Sequence, residues 1–433
     1  MEAVRAWLTI LRFGVAQAAV VAGTVLPITT LPRIMQNELG FLAIIAGSLV
    51  GIYYAAQLSR LLAGALSDRA SRRMPFIVAG LVVSGVSGVL VAYGVTWLAN
   101  GAAYALPLLI VGYVGVGVGV GTGGTTLFAL VATTVSPRRR APAATIVWFV
   151  MIAALAITTV LAGKAMTPFT YERLTSVATT IAIVALIVGT LAVLGIERGG
   201  VSVAQSASTE PKPPLSAAFA TLLEPGVRNF ALFVFISMFA YNMQELVFEA
   251  FLGARHGLDA GESTSFSGYH KAAVPLGMLA AAIIGRIFQG TRAALLSLTI
   301  GGCLLSASAL ISLGLSSFGA MPGQLIGSVA ALGFGNGLFA GGALASMFAV
   351  ASSGAGRREG TRMGAFGLAQ AVGFGIGMFA GAAQLDVMRT FTSEASAFAS
   401  VFLLEAAVFV AASILAIRLT RGATQSAAKA LPA

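Results

Sequence analysis

The chain has 433 residues, of which 58% are hydrophobic and only 9% are charged, whereas soluble domains carry about 25% charged residues. Together with a mean hydropathy of +0.92, this excludes an ordinary soluble protein and indicates an integral membrane protein. The formal net charge of +11 would suggest nucleic-acid binding in a soluble chain, so its meaning depends on where the basic residues lie.

Twelve apolar segments are each long enough to cross a bilayer, which takes about 20 mostly apolar residues. In chain order we predict spans at 10–31, 41–66, 75–98, 103–134, 142–164, 176–196, 228–251, 267–288, 294–316, 323–351, 362–384 and 396–418. The sequence therefore predicts an all-α polytopic membrane protein with both termini on the same side of the membrane.

The basic residues indicate which side that is. Most of the 26 Lys and Arg residues fall at the termini and in the loops after even-numbered spans. The opposite side has only Arg33, Lys164, Arg173, Arg255, Lys271 and Arg389. By the positive-inside rule, both termini are predicted to be cytoplasmic. The positive charge is then a topology signal, with attraction to anionic membrane lipid as a consequence and no need for nucleic acid.

One polar segment, rich in Ser, Pro and Gly, divides the spans into six plus six. We therefore predict an N-terminal six-helix bundle at 1–196, a cytoplasmic linker at 197–227, a C-terminal bundle at 228–421 and a flexible tail at 422–433. The halves also resemble each other faintly, since "GVGVGTGG" at Gly117–Gly124 corresponds to "GFGNGLFA" at Gly333–Ala340. Two parallel six-helix repeats are typical of the major facilitator superfamily (MFS) fold.

The loop after the second span, "GALSDRASRR", resembles the MFS signature G-x-L-x-D-R-x-G-R-[RK], with Ser71 in place of the second glycine. An aspartate at a helix end beside several arginines can form ion pairs that break and re-form when helices move. We interpret this loop as a conformational latch, although a solvated basic loop would show the same composition. The candidate latch residues are Gly64, Asp68, Arg69, Arg72 and Arg73.

Three stretches resemble a more particular family. "TTLPRIMQNELG" is similar to the T-L-N-R-V-M-x-x-E-L segment of the PucC/LhaA family, and "YYAAQLSRLLAGALSD" to its H-Y-x-x-x-x-x-R-x-x-x-G-x-x-S-D. The segments Gly333–Val350 and Gly360–Gly377 resemble its tenth and eleventh helices. The chain departs from the family at Pro32 and Phe366, and its short second loop is closer to the smaller "bacteriochlorophyll synthase accessory chain" branch.

This resemblance implies the MFS fold in a bacterial inner membrane, cytoplasmic or intracytoplasmic. It also implies a role in binding or delivering (bacterio)chlorophyll or a precursor during assembly of light-harvesting or reaction-centre complexes. The expected partners are the tetrapyrrole pigment and, through the family, pigment-synthesis enzymes or subunits of those complexes. The pigment would be a ligand, and no permanently bound cofactor or metal is expected.

Polar residues at predicted membrane depth are the candidate ligand-binding residues, because charges there are costly and often functional. They are Arg33, Glu38, Gln57, Arg60, Glu245, Glu249, His270, Asn336 and Gln370. Glu245 and Glu249 are four apart and should share a helical face. Simpler roles also fit: the amides could join helices by hydrogen bonds, and Arg60 could extend to the interface.

Two other functions would leave different marks in the sequence. A proton-coupled MFS exporter would use Glu245 or Glu249 as a titrating carboxylate. An enzyme attaching a prenyl group would need Asp-rich motifs to hold magnesium diphosphate. The sequence has only Asp68, Asp259 and Asp386, too far apart to form such a motif, so a non-catalytic role is predicted.

Overall fold

The computed structural model of the protein describes residues 2–70, 72–135, 140–197, 225–288, 291–319, 322–352 and 359–429. Every regular element in these ranges is helical. Nine helices are long and apolar enough to cross a membrane, and a bent pair at the N-terminus makes ten if it is counted as one span. Each of the twelve predicted spans lies within or overlaps a helical region of the described chain, as predicted from hydropathy.

The described residues of the N-terminal half form eight α-helices. They are α1 (Glu2–Ala22), α2 (Leu31–Asn37), α3 (Ala43–Ala56), α4 (Arg60–Arg69), α5 (Met74–Ala99), α6 (Ala105–Thr134), α7 (Arg140–Met166) and α8 (Tyr171–Val193). The C-terminal half contains seven. They are α9 (Pro225–Met243), α10 (Phe248–His256), α11 (Ala260–Ile287), α12 (Arg292–Ser316), α13 (Pro322–Ser352), α14 (Glu359–Phe391) and α15 (Glu394–Lys429).

Three of the predicted spans are interrupted. The first bends by 41° between Ala6–Ala22 and Leu26–Asn37, across a π-helical turn at Leu26–Thr30. Pro27 lies in that turn, and its missing N–H cannot complete the α-helical hydrogen-bond ladder. The second span changes to 3₁₀ geometry at Gln57–Ser59, and the seventh is broken by turns between α9 and α10.

The described residues divide into two compact units. Unit 1 comprises those within Met1–Ser208 together with Phe248–Lys271, and unit 2 those within Thr209–Val247 and Ala272–Ala433. In unit 1, α5 packs against α6 and α8, α1 against α7 and α8, and α10 against α2. In unit 2, α12 packs against α13 and α15, and α9 against α14 and α15. Most of the predicted linker at 197–227 lies outside the described residues.

A close approach between two helices of unit 1 explains why the start of α11 belongs there. A Cβ added to Gly163 of α7 would lie 2.5 Å from the carbonyl oxygen of Gly261, and one added to Gly261 would lie 2.6 Å from that of Gly163. Only glycine allows backbones to meet at this distance. Helix α11 begins at Ala260, earlier than the predicted 267, because its polar first turns pack here through small residues.

Candidate functional site

The interruption of the second span presents a group of three polar side chains. Arg60 is exposed, whereas Tyr53 and Gln57 are buried with 5% and 8% of their surface accessible. The guanidinium of Arg60 donates a hydrogen bond to Gln57 Oε1, and Tyr53 shares a side-chain hydrogen bond with Gln57 and lies in the field of Arg60. We call Tyr53, Gln57 and Arg60 the helix-break triad.

Glycines of α6 allow that helix to pack closely against the broken helix that carries this triad. A Cβ at Gly117 would lie 2.4 Å from the carbonyl oxygen of Tyr53, and one at Gly121 would lie 2.9 Å from Ser59 Oγ and 3.3 Å from Arg60 Cγ. Helix α6 therefore touches the broken helix with bare backbone. The predicted ligand residues Gln57 and Arg60 thus lie together, with Arg60 held by neutral partners.

The predicted latch is described only in part. The surroundings of Gly64 and the side chains of Asp68 and Arg69 lie outside the described part of the structure, and Arg72 is exposed. Arg73 is buried, and its guanidinium donates to the carbonyl oxygen of Ala129 at 2.7 Å and to Thr133 Oγ1 at 3.1 Å. These acceptors lie in the last turns of α6, where a cation is favoured by the helix dipole.

Glu197 completes this arrangement and was not singled out by the sequence. Its carboxylate accepts hydrogen bonds from the backbone N–H groups of Arg73, at 2.7 Å, and Met74, at 3.3 Å. A carboxylate at this position satisfies amides that have no partner within α5. Because Glu197 is more than 120 residues away in sequence, no local pattern could have identified it as a helix cap.

Arg33 connects distant parts of unit 1. Its side chain is buried, donating to Glu38 Oε1 at 2.7 Å and to the carbonyl oxygen of Leu258 at 2.5 Å. Nearby, Asn37 donates to the carbonyl oxygen of Ala250 at 3.0 Å. The predicted pair Arg33 and Glu38 is therefore brought together, and it ties α2 to α10 and to the segment that follows it.

The segment that carries Glu245 and Glu249 is not a regular α-helix throughout. Turns separate α9 from α10, with Val247 N–H donating to the Gln244 carbonyl in place of an α-helical bond. The change of backbone geometry shifts the side chains relative to each other, and the two residues fall in different units. Glu249 is buried in unit 1, where Oε2 accepts from Thr264 Oγ1 at 3.1 Å.

The remaining predicted ligand residues are buried or partly buried at separate places. His270 lies in α11 with its ring 6.0 Å from that of Phe248. Asn336 is fully buried and accepts from Ser306 Oγ at 2.8 Å. Gln370 is partly buried and contacts the sulfur of Met238. Asn336 and Gln370 therefore act as contacts between helices of unit 2, one of the simpler roles that their sequence context allowed.

Unit 1 also has a shallow apolar groove of about 230 Å³ at the bend of the first span. It is lined by Ala22, Gly23, Leu26, Pro27, Gly85, Gly88, Ala178, Ile181 and Ala182. Much of this volume is open to the surroundings, and the enclosed part has room for about one water molecule, so the groove would not enclose a large planar ligand.

The bundle of apolar helices defines a multi-pass membrane protein. The fold is similar to that of a bacterial homologue of the human lysosomal transporter Spinster, with a TM-score of 0.69 at 13% identity over 95% of this chain and 96% of that one. It is also similar to a POT family transporter, with a TM-score of 0.70 at 13% identity over 96% of each chain. At these identities the likeness establishes the MFS fold alone.

Sequence comparison identifies the family. The profile described as "PUCC protein" matches residues 30–424, so the chain belongs to the PUCC family, as its motifs predicted. A relative from Rhodobacter capsulatus named "Bacteriochlorophyll synthase 44.5 kDa chain" is 38% identical over 414 residues, which is 95% of each protein.

Proposed function

We propose that this protein binds (bacterio)chlorophyll or a precursor within the bacterial inner membrane and hands it over during assembly of photosynthetic complexes. Its membership of the PUCC family and the name of its Rhodobacter capsulatus relative support a role in pigment metabolism. Its transporter fold favours binding and release over catalysis. Both termini are proposed to be cytoplasmic, from the distribution of basic residues.

The observation that carries this proposal is the exposure of Arg60 at a helix break. Its guanidinium has Gln57 as a neutral hydrogen-bond partner. A charge inside an apolar span is costly, so a charged residue there usually has a functional role. Arginine presents several donors in a rigid plane, which suits the carbonyl groups at the rim of a chlorin.

The test is to express the full chain in a pigmented bacterium and purify it gently. Tetrapyrrole bound per chain is then measured by absorbance for the wild type, for Arg60→Gln and for the control Arg418→Gln, which removes an exposed charge elsewhere. Hydrogen bonds to charged groups contribute about 1.5–3 kcal/mol, so Arg60→Gln should lower the affinity about tenfold or more, while the control retains pigment.

The outcomes separate the two parts of the proposal. A wild-type protein that carries no tetrapyrrole under these conditions would contradict pigment binding itself. Equal pigment in the wild type and Arg60→Gln would leave pigment binding standing and remove the role of the helix-break triad.

A further inference from the structure

A buried carboxyl group in unit 1 stands apart from the helix-break triad. Glu249 of α10 is only 1% exposed, and its Oε2 accepts a hydrogen bond from Thr264 Oγ1 of α11 at 3.1 Å. Its Oε1 is enclosed and has no hydrogen-bond partner among the described residues. Burial has therefore removed the hydration of this oxygen without replacing it, which destabilises the charged carboxylate.

A chain of hydroxyl groups continues from this carboxyl group to the break in the first span. Thr264 Oγ1 lies 2.8 Å from Thr30 Oγ1, which lies 3.5 Å from Thr29 Oγ1. Thr29 in turn donates to the carbonyl oxygen of Val25 at 2.5 Å. Since all three threonines are buried, these hydroxyl groups have one another, rather than solvent, as partners.

The donors and acceptors of this chain can be arranged in two ways, because a hydroxyl group both donates and accepts. When Glu249 is ionised, Thr264 donates to the carboxylate and Thr30 donates to Thr264. When Glu249 carries a proton, it donates to Thr264, which then donates to Thr30. The Thr30 hydrogen turns to the oxygen of Thr29, whose own hydrogen stays on the Val25 carbonyl. Every hydroxyl hydrogen therefore has an acceptor in both states.

Two cations act on Glu249 from the elements around it. Helix α10 packs against α2, which supplies Arg33, while α11 supplies Lys271, and both interact electrostatically with the carboxyl group. The Arg33 guanidinium lies one turn further along α10, 2.7 Å from the position of a Cβ added to Gly253, and it already has Glu38 as its carboxylate. These positive charges favour the ionised form, whereas burial favours the protonated form. Because the two effects oppose each other, Glu249 can take either form.

The other titratable groups of α10 and of the first turns of α11 have positions or contacts of their own. Asp259 and Glu262 accept from each other's backbone N–H groups, at 2.9 and 2.7 Å, around the start of α11. The ring of His270 lies beside an aromatic ring of α10. Arg255 and His256 end α10, roughly 9 Å or more along the axis from the buried carboxyl group.

We propose that Glu249 is a reversible proton-binding site of unit 1, and that the hydroxyl chain of Thr264, Thr30 and Thr29 reverses when the proton binds or leaves. The proton adds to the carboxylate and forms the O–H bond that donates to Thr264, and on its release the Thr264 hydroxyl donates to the carboxylate again. A proton is the cation that fits, because Oε1 is enclosed and Oε2 already contacts a hydroxyl group.

Proton binding at this site would change the contact between two elements of unit 1. Thr30 belongs to the π-helical turn that breaks the first span, and Thr264 belongs to α11. The direction of the hydrogen bond between them depends on the charge of Glu249. This proposal does not depend on pigment binding.

Infrared spectroscopy of the full-length protein in lipid nanodiscs, recorded from acidic to alkaline pH, tests the proposal. A protonated carboxyl group has a C=O stretch distinct from that of a carboxylate and sensitive to H/D exchange. The wild-type spectrum should contain such a band that is lost as the pH rises, and this band should be absent from Glu249→Gln. Glu172→Gln, which changes an exposed carboxylate in the first turn of α8, should leave the band and its transition unchanged.

Thr264→Val tests the hydroxyl chain. It nearly preserves the shape of the side chain but removes the hydroxyl group that contacts Glu249, so the C=O stretch should shift in frequency. Thr159→Val is the matched control, because Thr159 is also fully buried in unit 1 but donates to the Leu155 carbonyl of its own helix. This control should leave the band where it is.

Glutamine resembles a protonated glutamate in shape and charge, so Glu249→Gln should fold like the wild type. If it does not, the frequency shift in Thr264→Val decides the question. A wild-type spectrum without a titrating band, or with titrating bands that all persist in Glu249→Gln, would overturn the proposal. A band that is unchanged in Thr264→Val would remove the hydroxyl chain from it.

Discussion

The Arg33–Glu38 pair offers a sharp test of how unit 1 is held together. Arg33→Ala removes a charged hydrogen bond to the Leu258 carbonyl, which contributes about 1.5–3 kcal/mol. It also removes the ion pair, which contributes about 1 kcal/mol, because the Glu38 side chain is 39% exposed to screening by water while the Arg33 side chain is only 4% exposed. We therefore expect Arg33→Ala to lower the free energy of unfolding by about 2–4 kcal/mol.

The more informative variant is Glu38→Ala. Although Glu38 is partly exposed, its removal leaves the Arg33 guanidinium, only 4% exposed, without its carboxylate. An uncompensated buried charge is strongly destabilising, so we expect a loss of about 1–3 kcal/mol. In Arg33→Ala/Glu38→Ala the buried charge is gone, and the loss should be smaller than the sum of the single losses by about 1 kcal/mol or more.

Tryptophan fluorescence can follow unit 1 alone, because the three tryptophans of the chain are Trp7, Trp97 and Trp148, all within its range. Unfolding is measured in mixed micelles with increasing denaturing detergent. Glu394→Ala, which breaks a more exposed pair at 3.4 Å, serves as the control and should leave this transition unchanged. Additive effects, with Glu38→Ala costing less than about 0.5 kcal/mol, would refute the reasoning that Arg33 is an enclosed charge.

Two further predictions use the same fluorescence measurement. Gly163→Val should destabilise unit 1 by about 1–3 kcal/mol or more through overpacking against Gly261. The control Gly51→Ala, with nothing within 4 Å of the added Cβ, should be neutral or stabilising by up to about 1 kcal/mol. Equal effects of the two substitutions would contradict the close approach of α7 and α11. Glu197→Gln should cost about 0.5–2 kcal/mol by weakening the cap on α5, and a wild-type transition in this variant would show that the carboxylate is not needed there.

The positions and order of the apolar helices could be predicted because hydropathy and length report directly on transfer into a bilayer. Helix starts were harder to predict where other interactions decide them. Helix α8 begins at Tyr171, before the predicted 176, because Thr170 caps it by accepting from the Arg173 N–H. A polar first turn of this kind lowers the mean hydropathy of a window without ending the helix.

The candidate site was predictable only where its residues are local. The spacing of Tyr53, Gln57 and Arg60 is i, i+4 and i+7, so their contact follows from helical geometry. The partners of Arg33 and Arg73, in contrast, are carbonyl groups more than 50 residues away, and a carbonyl has no sequence signature.

The interruptions of the helices show why hydropathy missed the most informative positions. Within a bilayer, backbone groups released by a helix break need internal partners, and polar side chains supply them. At the first break, Thr24 and Thr29 donate to the carbonyl oxygens of Val21 and Val25 at 2.7 and 2.5 Å.

The other two breaks carry charges as well as neutral polar groups. The second contains Gln57 beside Arg60, and the third contains Gln244 beside Glu245. A hydropathy window averages each of these polar residues with its apolar neighbours and therefore predicts a continuous span. Because threonines can satisfy a break without any charge, as they do at the first, the arginine and the glutamate are more than the backbone geometry requires. This surplus is the physical reason to test ligand binding at Arg60.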